Sequence, residues 1–168
     1  YLSIPRGCED DLIDLLQSQN IKPHFDVKTV KGKRLTKIKM TTRLRKEQTK
    51  AVNKIIKHDI GVLHAPTAFG KTVTAIGIIA KRKTNTLVLV HNKQLIDQWR
   101  ERINTFTTGI QCGVHTGAKK SVSNEVDIAT YQSLINRKDN TVNSILHNYG
   151  QFIIDECHHV PAASFERV

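Results

Sequence analysis

Residues Asp59 to Thr72 read DIGVLHAPTAFGKT, and this stretch decides the fold. Gly61–His64 predicts a short buried strand, Ala65–Gly70 a tight loop, and Lys71 the opening of a helix. A strand that runs through a small-residue loop into a helix makes an anion site. Backbone N–H groups converge there, and the helix N-terminus adds about half a positive charge. Lys71 can reach the outer phosphates of a nucleotide, and the Thr72 hydroxyl can ligate a magnesium ion. The pattern G-x-x-x-x-G-K-S/T is met at Gly70, Lys71 and Thr72, while Ala65 stands in the first glycine's place. The candidate nucleotide cradle is therefore Ala65, Pro66, Thr67, Ala68, Phe69, Gly70, Lys71 and Thr72. Several kinds of NTPase would fit this loop alone, so its partners must lie downstream.

One partner is FIIDE, residues 152–156. An apolar strand that ends in Asp155 places a carboxylate where it can hold magnesium, directly or through water. The adjacent Glu156 is placed to orient or deprotonate an attacking water. Cys157-His158-His159 invites a zinc reading. Adjacent side chains do not easily face one ion, however, and no second Cys/His cluster has the required spacing.

Between these two motifs the chain alternates strands and helices. The residues after Lys71 are apolar nearly all round up to Lys81, as expected of a buried crossover helix. TLVLV (86–90) is a buried strand, followed by His91-Asn92 and an amphipathic helix with Leu95, Trp99, Ile103 and Phe106 on one face. Gln111–His115 is a third strand, Val126–Thr130 a fourth and Phe152–Ile154 a fifth. Asn140 can cap a helix that buries Val142, Ile145, Leu146 and Tyr149, and Pro161 can open another. This rhythm predicts an open α/β fold with a mostly parallel sheet. Ligands in such folds sit beyond the carboxyl ends of the strands. His91-Asn92, His115-Thr116-Gly117, Thr130-Tyr131-Gln132 and Asp155-Glu156 should then share one rim with the loop.

Upstream, Glu9–Asn20 reads as a helix with Leu12, Leu15 and Leu16 on one face. His24–Val30 and Leu35–Met40 read as a hairpin turning at Lys31-Gly32-Lys33. A further helix follows, with Leu44, Gln48, Val52 and Ile55/Ile56 on one side. Residues 1–40 are thus expected to be an accessory segment of helix plus hairpin, and 41–168 the nucleotide-binding domain. The first residue is not Met, which suggests a piece of a longer chain.

The 168 residues carry a net charge of +11. Residues 1–84 hold 18 Lys/Arg against 7 Asp/Glu, and residues 85–168 hold 8 against 8, so the excess lies in the first half. A polyanion such as nucleic acid is the natural partner for that half, and a solvated basic face the bland alternative. No apolar run approaches the length of a membrane span. Three scattered cysteines suggest a reducing compartment, cytoplasmic or nucleoid-associated.

Taken together, APTAFGKT and DECHH resemble motifs I and II of the superfamily II helicases and translocases. TLVLVHNKQLIDQW resembles their motif Ia, DIATYQSL their motif Ib, and RLRKEQTKAV the segment whose Gln reads the adenine edge, here Gln48. With the tail HHVPAASFERV, the combination is most similar to the XPB-like and type III restriction-enzyme branch. DEAD-box RNA helicases match more loosely. The resemblance implies a three-layer RecA-like P-loop NTPase lobe over 41–168, cut off after motif II. It implies ATP and Mg²⁺ as cofactors, with Gly70, Lys71 and Thr72 on the triphosphate and magnesium, Asp155 as the metal carboxylate and Glu156 as catalytic base. It places His91, Asn92, Thr116, Gly117 and Thr130 on a nucleic-acid backbone, DNA in preference to RNA.

Two departures stand out. Most of the family has Gly where this chain has Ala68. If that position needs positive φ, Ala costs roughly 1 kcal/mol, and its methyl crowds the phosphates. There is also no Ser-Ala-Thr motif and no second RecA-like lobe with its arginine, a group worth about 10³ to 10⁵ in rate in phosphoryl transfer. Weak nucleotide binding and very slow hydrolysis are expected of this chain alone. A nucleic-acid-binding module with a degenerate nucleotide site is the alternative, followed by a signalling or metabolic P-loop protein.

Overall fold

The computed structural model describes residues 9–25, 30–117, 120–136 and 141–157. In chain order the elements are α1 (Glu9–Ser18), β1 (Lys39–Met40), α2 (Lys46–Ile55), α3 (Lys71–Arg82), β2 (Thr86–Val90), α4 (Lys93–Phe106), β3 (Thr107–Thr108), β4 (Cys112–His115), β5 (Lys120–Ser121), β6 (Val126–Thr130) and β7 (Gln151–Ile154), with 3₁₀ turns at Tyr131–Leu134 and Ser144–Asn148.

The main sheet runs β5-β4-β6-β2-β7. Its members β4, β6, β2 and β7 are parallel, and β5 joins β4 antiparallel. TLVLV and VDIAT are buried at every position, as central strands covered on both faces must be. Register aligns Val90 with Thr130, His115 with Ala129 and Leu89 with Ile154. The polar residues that follow each strand therefore emerge at one end of the sheet.

One face of the sheet is covered by α3 and α4. Ile76 and Ile79 of α3 and Ile96, Trp99 and Ile103 of α4 close over Val88, Val90, Val114, Val126 and Ile128. Each such fully buried apolar side chain contributes about 1.5–3 kcal/mol. Six consecutive residues of α3, Thr74–Ile79, are buried. Thr74, fully buried, returns its hydroxyl to the Gly70 carbonyl at 3.0 Å, so no polar atom there is stranded. The other face carries Leu87, Leu89, Ala129, Leu134, Leu146 and Tyr149. Its cover is the 3₁₀ turn 144–148 in place of the expected α-helix, capped by Asn143 through the Ile145 N–H at 3.1 Å. The expected cap, Asn140, lies outside the described residues.

Two expectations are overturned. Gly61–His64 forms no strand, and β7 is left at the edge of the sheet. Val62 is 75% exposed. After Ile60's bend the run has only two apolar side chains, Val62 and Leu63, and opens on the glycine, which is costly to order in a strand. The hairpin turning at Lys31–Lys33 also gives way. Met40 and Lys39 pair antiparallel with Thr107 and Thr108, and Arg34 bridges Thr84. Leu35 and Ile38 enter the main core, and the Asn85 side chain binds the Lys33 N–H at 2.8 Å and the Asn148 carbonyl at 2.7 Å. Residues 31–40 are thus stitched to the base of the sheet. Residues 26–29, on which the first hairpin strand was to fall, lie outside the described residues.

Candidate functional site

The helix α3 returns through Lys83–Asn85 into the start of β2. Its twelve residues span about 18 Å, roughly the length of the five-residue strand it packs on. Its N-terminus, Lys71, therefore lies at the same end of the sheet as the strand C-termini.

The loop before it is tightly wound. Ala68 has φ 67° and Gly70 φ 82°, both left-handed. Its outward carbonyls are held from α2. The Arg45 guanidinium donates to the carbonyls of Ala68 and Phe69. The Gln48 amide donates to the Phe69 carbonyl at 2.9 Å and accepts the Arg45 N–H at 2.9 Å. Gln48, only 4% exposed, is thus brought to the phosphate loop. A β-carbon on Gly70 would lie 2.6 Å from the Gln48 amide nitrogen, so this close approach requires glycine. Lys71 is exposed and Thr72 half-buried.

Asp155 follows β7 directly. Its N–H continues the ladder to the Leu89 carbonyl at 3.0 Å. Its Oδ1 accepts the Glu156 N–H at 3.1 Å, and its Oδ2 accepts the indole N–H of Trp99 at 2.7 Å. Glu156 is exposed and left-handed, with φ 54°. Among the described residues no three His, Cys, Asp or Glu side chains gather as a metal cage. Magnesium uses one or two carboxylates with phosphate and water oxygens rather than an all-protein cage. Thr72 and Asp155 are hard oxygen donors of the right kind. His158 and His159 lie outside the described residues.

Four of the five nucleic-acid candidates line one cavity of about 1090 Å³: His91, Asn92, Gly117 and Thr130, joined by Gln132 and Asn143. Thr116 is 7% exposed and sits beneath the surface. Asn92 also caps α4, accepting the Leu95 N–H at 3.0 Å, and its amide nitrogen meets His91 Nε2 at 2.9 Å. Gln132 donates to the His91 carbonyl at 3.2 Å. Ser133 accepts or donates with His115 Nδ1 at 3.2 Å and binds the Thr130 carbonyl at 2.7 Å.

Two participants, Arg45 and Trp99, escape a reading of the sequence, and the role of a third, Gln132 of the expected rim, is visible only in the fold. Arg45 sits three residues before Gln48, and that spacing on one helical turn was the available signal. Trp99 reads as a core position, and nothing in its spacing points to Asp155. Gln132 follows a strand end, but only the fold shows that it supports His91.

A parallel α/β sheet, a left-handed loop opening a helix at its C-terminal end, and a neighbouring strand ending in Asp-Glu define a RecA-like P-loop lobe. The chain belongs to the family described as type III restriction enzyme, res subunit, whose model matches residues 41–168. It is thereby a superfamily II helicase sequence of the XPB-like and type III restriction branch. A Halobacterium salinarum relative, whose name proposes a DNA 3'-5' helicase Rad25, is 38% identical over 122 residues, covering 71% of this chain and 20% of that protein. The DNA 3'-5' translocase XPB2 of Sulfurisphaera tokodaii is 33% identical over 128 residues, 76% of this chain and 28% of its own length. A protein of Acanthamoeba polyphaga mimivirus, whose name proposes an ATP-dependent RNA helicase, is 35% identical over 132 residues, 76% of this chain and 25% of that protein. The chain spans about a fifth to a quarter of the relatives it matches.

Proposed function

We propose that this chain is the ATP-binding motor lobe of a DNA-dependent ATPase, a helicase or translocase that couples hydrolysis to movement on, or opening of, nucleic acid. The observation that carries the reading is the shared end of the sheet. There the left-handed loop at Ala68 and Gly70 opens α3, and β7 delivers Asp155 and Glu156. Left-handed residues turn successive N–H groups inward as an anion nest. Arg45 takes up the outward carbonyls. Lys71 brings its charge to the outer phosphates. Gln48 keeps one amide hydrogen and one oxygen lone pair beyond the bonds it makes, enough to read an adenine edge.

Magnesium, when bound, would neutralise the charge developing on the phosphate oxygens. Thr72 and Asp155 would hold it. Glu156 orients a water in line with the γ-phosphorus and takes its proton as the bond to the leaving ADP oxygen breaks. Its left-handed backbone is the kind of strain that collects at functional sites. The cavity of His91, Asn92, Gly117 and Thr130, with Thr116 beneath, takes the nucleic-acid backbone. Two of the three relatives are named for DNA and one for RNA, which supports DNA as the partner, while the basic first half suits either polyanion. A second RecA-like lobe would supply the arginine this lobe does not, so hydrolysis by the lobe alone is very slow. Residues 1–40 act as an accessory segment to the lobe, and the stitching of residues 31–40 to the sheet gives that segment its point of attachment.

The test is made on the intact protein with Lys71→Ala and Glu156→Gln. Each should reduce nucleic-acid-stimulated ATPase at least about a hundredfold, the usual weight of a positioned acid–base or charge-stabilising group. Survival of activity in both sinks the site assignment. Ala68 favours one other reading, a nucleic-acid-binding module with a degenerate nucleotide site. Calorimetry with a non-hydrolysable ATP analogue and magnesium separates the two, since the degenerate site would give no heat of binding.

A further inference from the structure

We propose that Trp99 is a positioning residue for the Asp155 carboxylate and thereby sets the affinity of the site for magnesium. The inference rests on the reading of Asp155 as the metal carboxylate. Trp99 lies on α4, seven residues after its Asn92 cap, with its ring 3% exposed among Ile96, Ile103 and Val90. Its single polar atom, the indole N–H, leaves this apolar surround to meet Asp155 Oδ2 at 2.7 Å. An indole nitrogen is a donor only, so the partner must be an acceptor, and an ionised carboxylate is the strongest one available. A buried Trp ordinarily finds such a partner. Here the partner it has found is the carboxylate read as the metal ligand.

The geometry does more than satisfy the indole. Oδ1 is held by the Glu156 N–H and Oδ2 by Trp99, so both oxygens are fixed and the carboxylate plane is set. A carboxylate has about four lone-pair sites. Two are used, and the remaining two are left for the ion or its waters. The Glu156 bond is local to one turn of chain and cannot by itself orient the group against the rest of the lobe. The Trp99 bond ties it to α4, a helix packed into the main core. Residues one shell out from a metal orient its ligands in this way, and their loss typically costs about 10- to 100-fold in metal affinity or activity.

The experiment measures binding of a non-hydrolysable ATP analogue by calorimetry across a magnesium series and in excess chelator. Trp99→Phe keeps an aromatic ring and removes the N–H. It should raise the magnesium concentration for half-maximal enhancement about tenfold or more, while affinity for magnesium-free nucleotide stays within about twofold, a change of under 0.5 kcal/mol. A merely structural tryptophan would move both affinities together. Should Trp99→Phe fail to fold, replacement by 3-benzothienylalanine, which keeps the indole shape without its N–H, takes over the same measurement. Asp155→Asn is run alongside. If it shifts the magnesium dependence and the Trp99 replacements do not, the role of Trp99 is overturned and that of Asp155 stands. If Asp155→Asn itself leaves the dependence unmoved, the metal-carboxylate reading falls, and the proposal with it.

Discussion

Replacing Ala68 by glycine should stabilise this chain, against the usual cost of adding a glycine. Ala68 has φ 67°. In that region the β-carbon crowds the following carbonyl, a strain of roughly 1–2 kcal/mol that glycine does not suffer. Glycine also widens the unfolded ensemble, at a cost of about 0.4–1 kcal/mol. Ala68 is exposed, so little burial is lost with its methyl. The balance is a gain of about 0.5–1 kcal/mol, which raises Tm by roughly 1–4 °C in a chain of this size. Nucleotide affinity is a separate quantity. The loop already holds its left-handed turn in the free chain, so the strain is present before and after binding and cancels. Affinity changes only through relief of the methyl against the phosphates, about threefold at most if under 0.7 kcal/mol is released. Scanning calorimetry and titration with an ATP analogue measure the two quantities. A fall in Tm refutes the strain argument. An unchanged Tm with a tenfold gain in affinity would mean that the loop takes up its strain on binding instead.

Three further outcomes are expected. Gly70→Ala meets both the left-handed backbone and the Gln48 amide nitrogen 2.6 Å from the new β-carbon; it should cost at least about 1–2 kcal/mol in thermal unfolding and abolish nucleotide binding as Gln48 leaves the Phe69 carbonyl. Asp127, fully buried, accepts bonds from the Ser123 N–H and hydroxyl, the Asn124 N–H and the Tyr149 hydroxyl; Asp127→Asn turns a donor toward these donors and should cost about 3–6 kcal/mol in urea denaturation, as two charge-assisted bonds are lost. Burial, and next the charge of Asp127, push the Cys112 thiol up to about 12 from 9.0, and burial with the Asp127 hydrogen bond raises the Tyr149 hydroxyl. The folded chain then keeps protons that the unfolded chain releases, so stability is full below pH 9 and falls as pH rises toward 12; the drop in urea midpoint between pH 8 and 10.5 should be smaller in Cys112→Ala.

Four of the five strands expected of the main sheet form, and the most legible are those with two buried faces. TLVLV and VDIAT are fully buried, and a run of β-branched and aliphatic residues has no other way to hide both sides. The helices α3 and α4 were legible for the same reason, through the periodicity of what they bury. The positive φ at Ala68 entered only as a condition, from the glycine most of the family has there, and the structure meets that condition at φ 67°. Long-range partners were not. Leu35–Met40 looks like the return arm of a hairpin by local pattern, but its backbone partners lie far along the chain at Lys83, Thr107 and Thr108, and no periodicity encodes them. The second face of the sheet was legible as apolar but not as 3₁₀, because Ile145, Leu146 and Tyr149 satisfy either spacing.

The unformed strand at Gly61–His64 changes what must hold the candidate site in place. β7 pairs with β2 on one side and forms the sheet's edge on the other, with Phe152 44% and Ile154 38% exposed. An edge strand frays more readily than a central one, because half its backbone groups have no ladder partner. Asp155 and Glu156 leave the sheet from this strand. Their position then depends on a few bonds: Asp155 N–H to Leu89, Glu156 N–H to Oδ1, and the Trp99 indole to Oδ2. The first is a neutral bond, worth about 0.5–1.5 kcal/mol net, and the second spans adjacent residues. The third joins a carboxylate to a buried donor, the class worth about 1.5–3 kcal/mol, and it alone comes from the helical layer. Loss of that bond should therefore be felt in the placement of the carboxylate more than in the stability of the fold, whose core α4 would still fill with an aromatic ring.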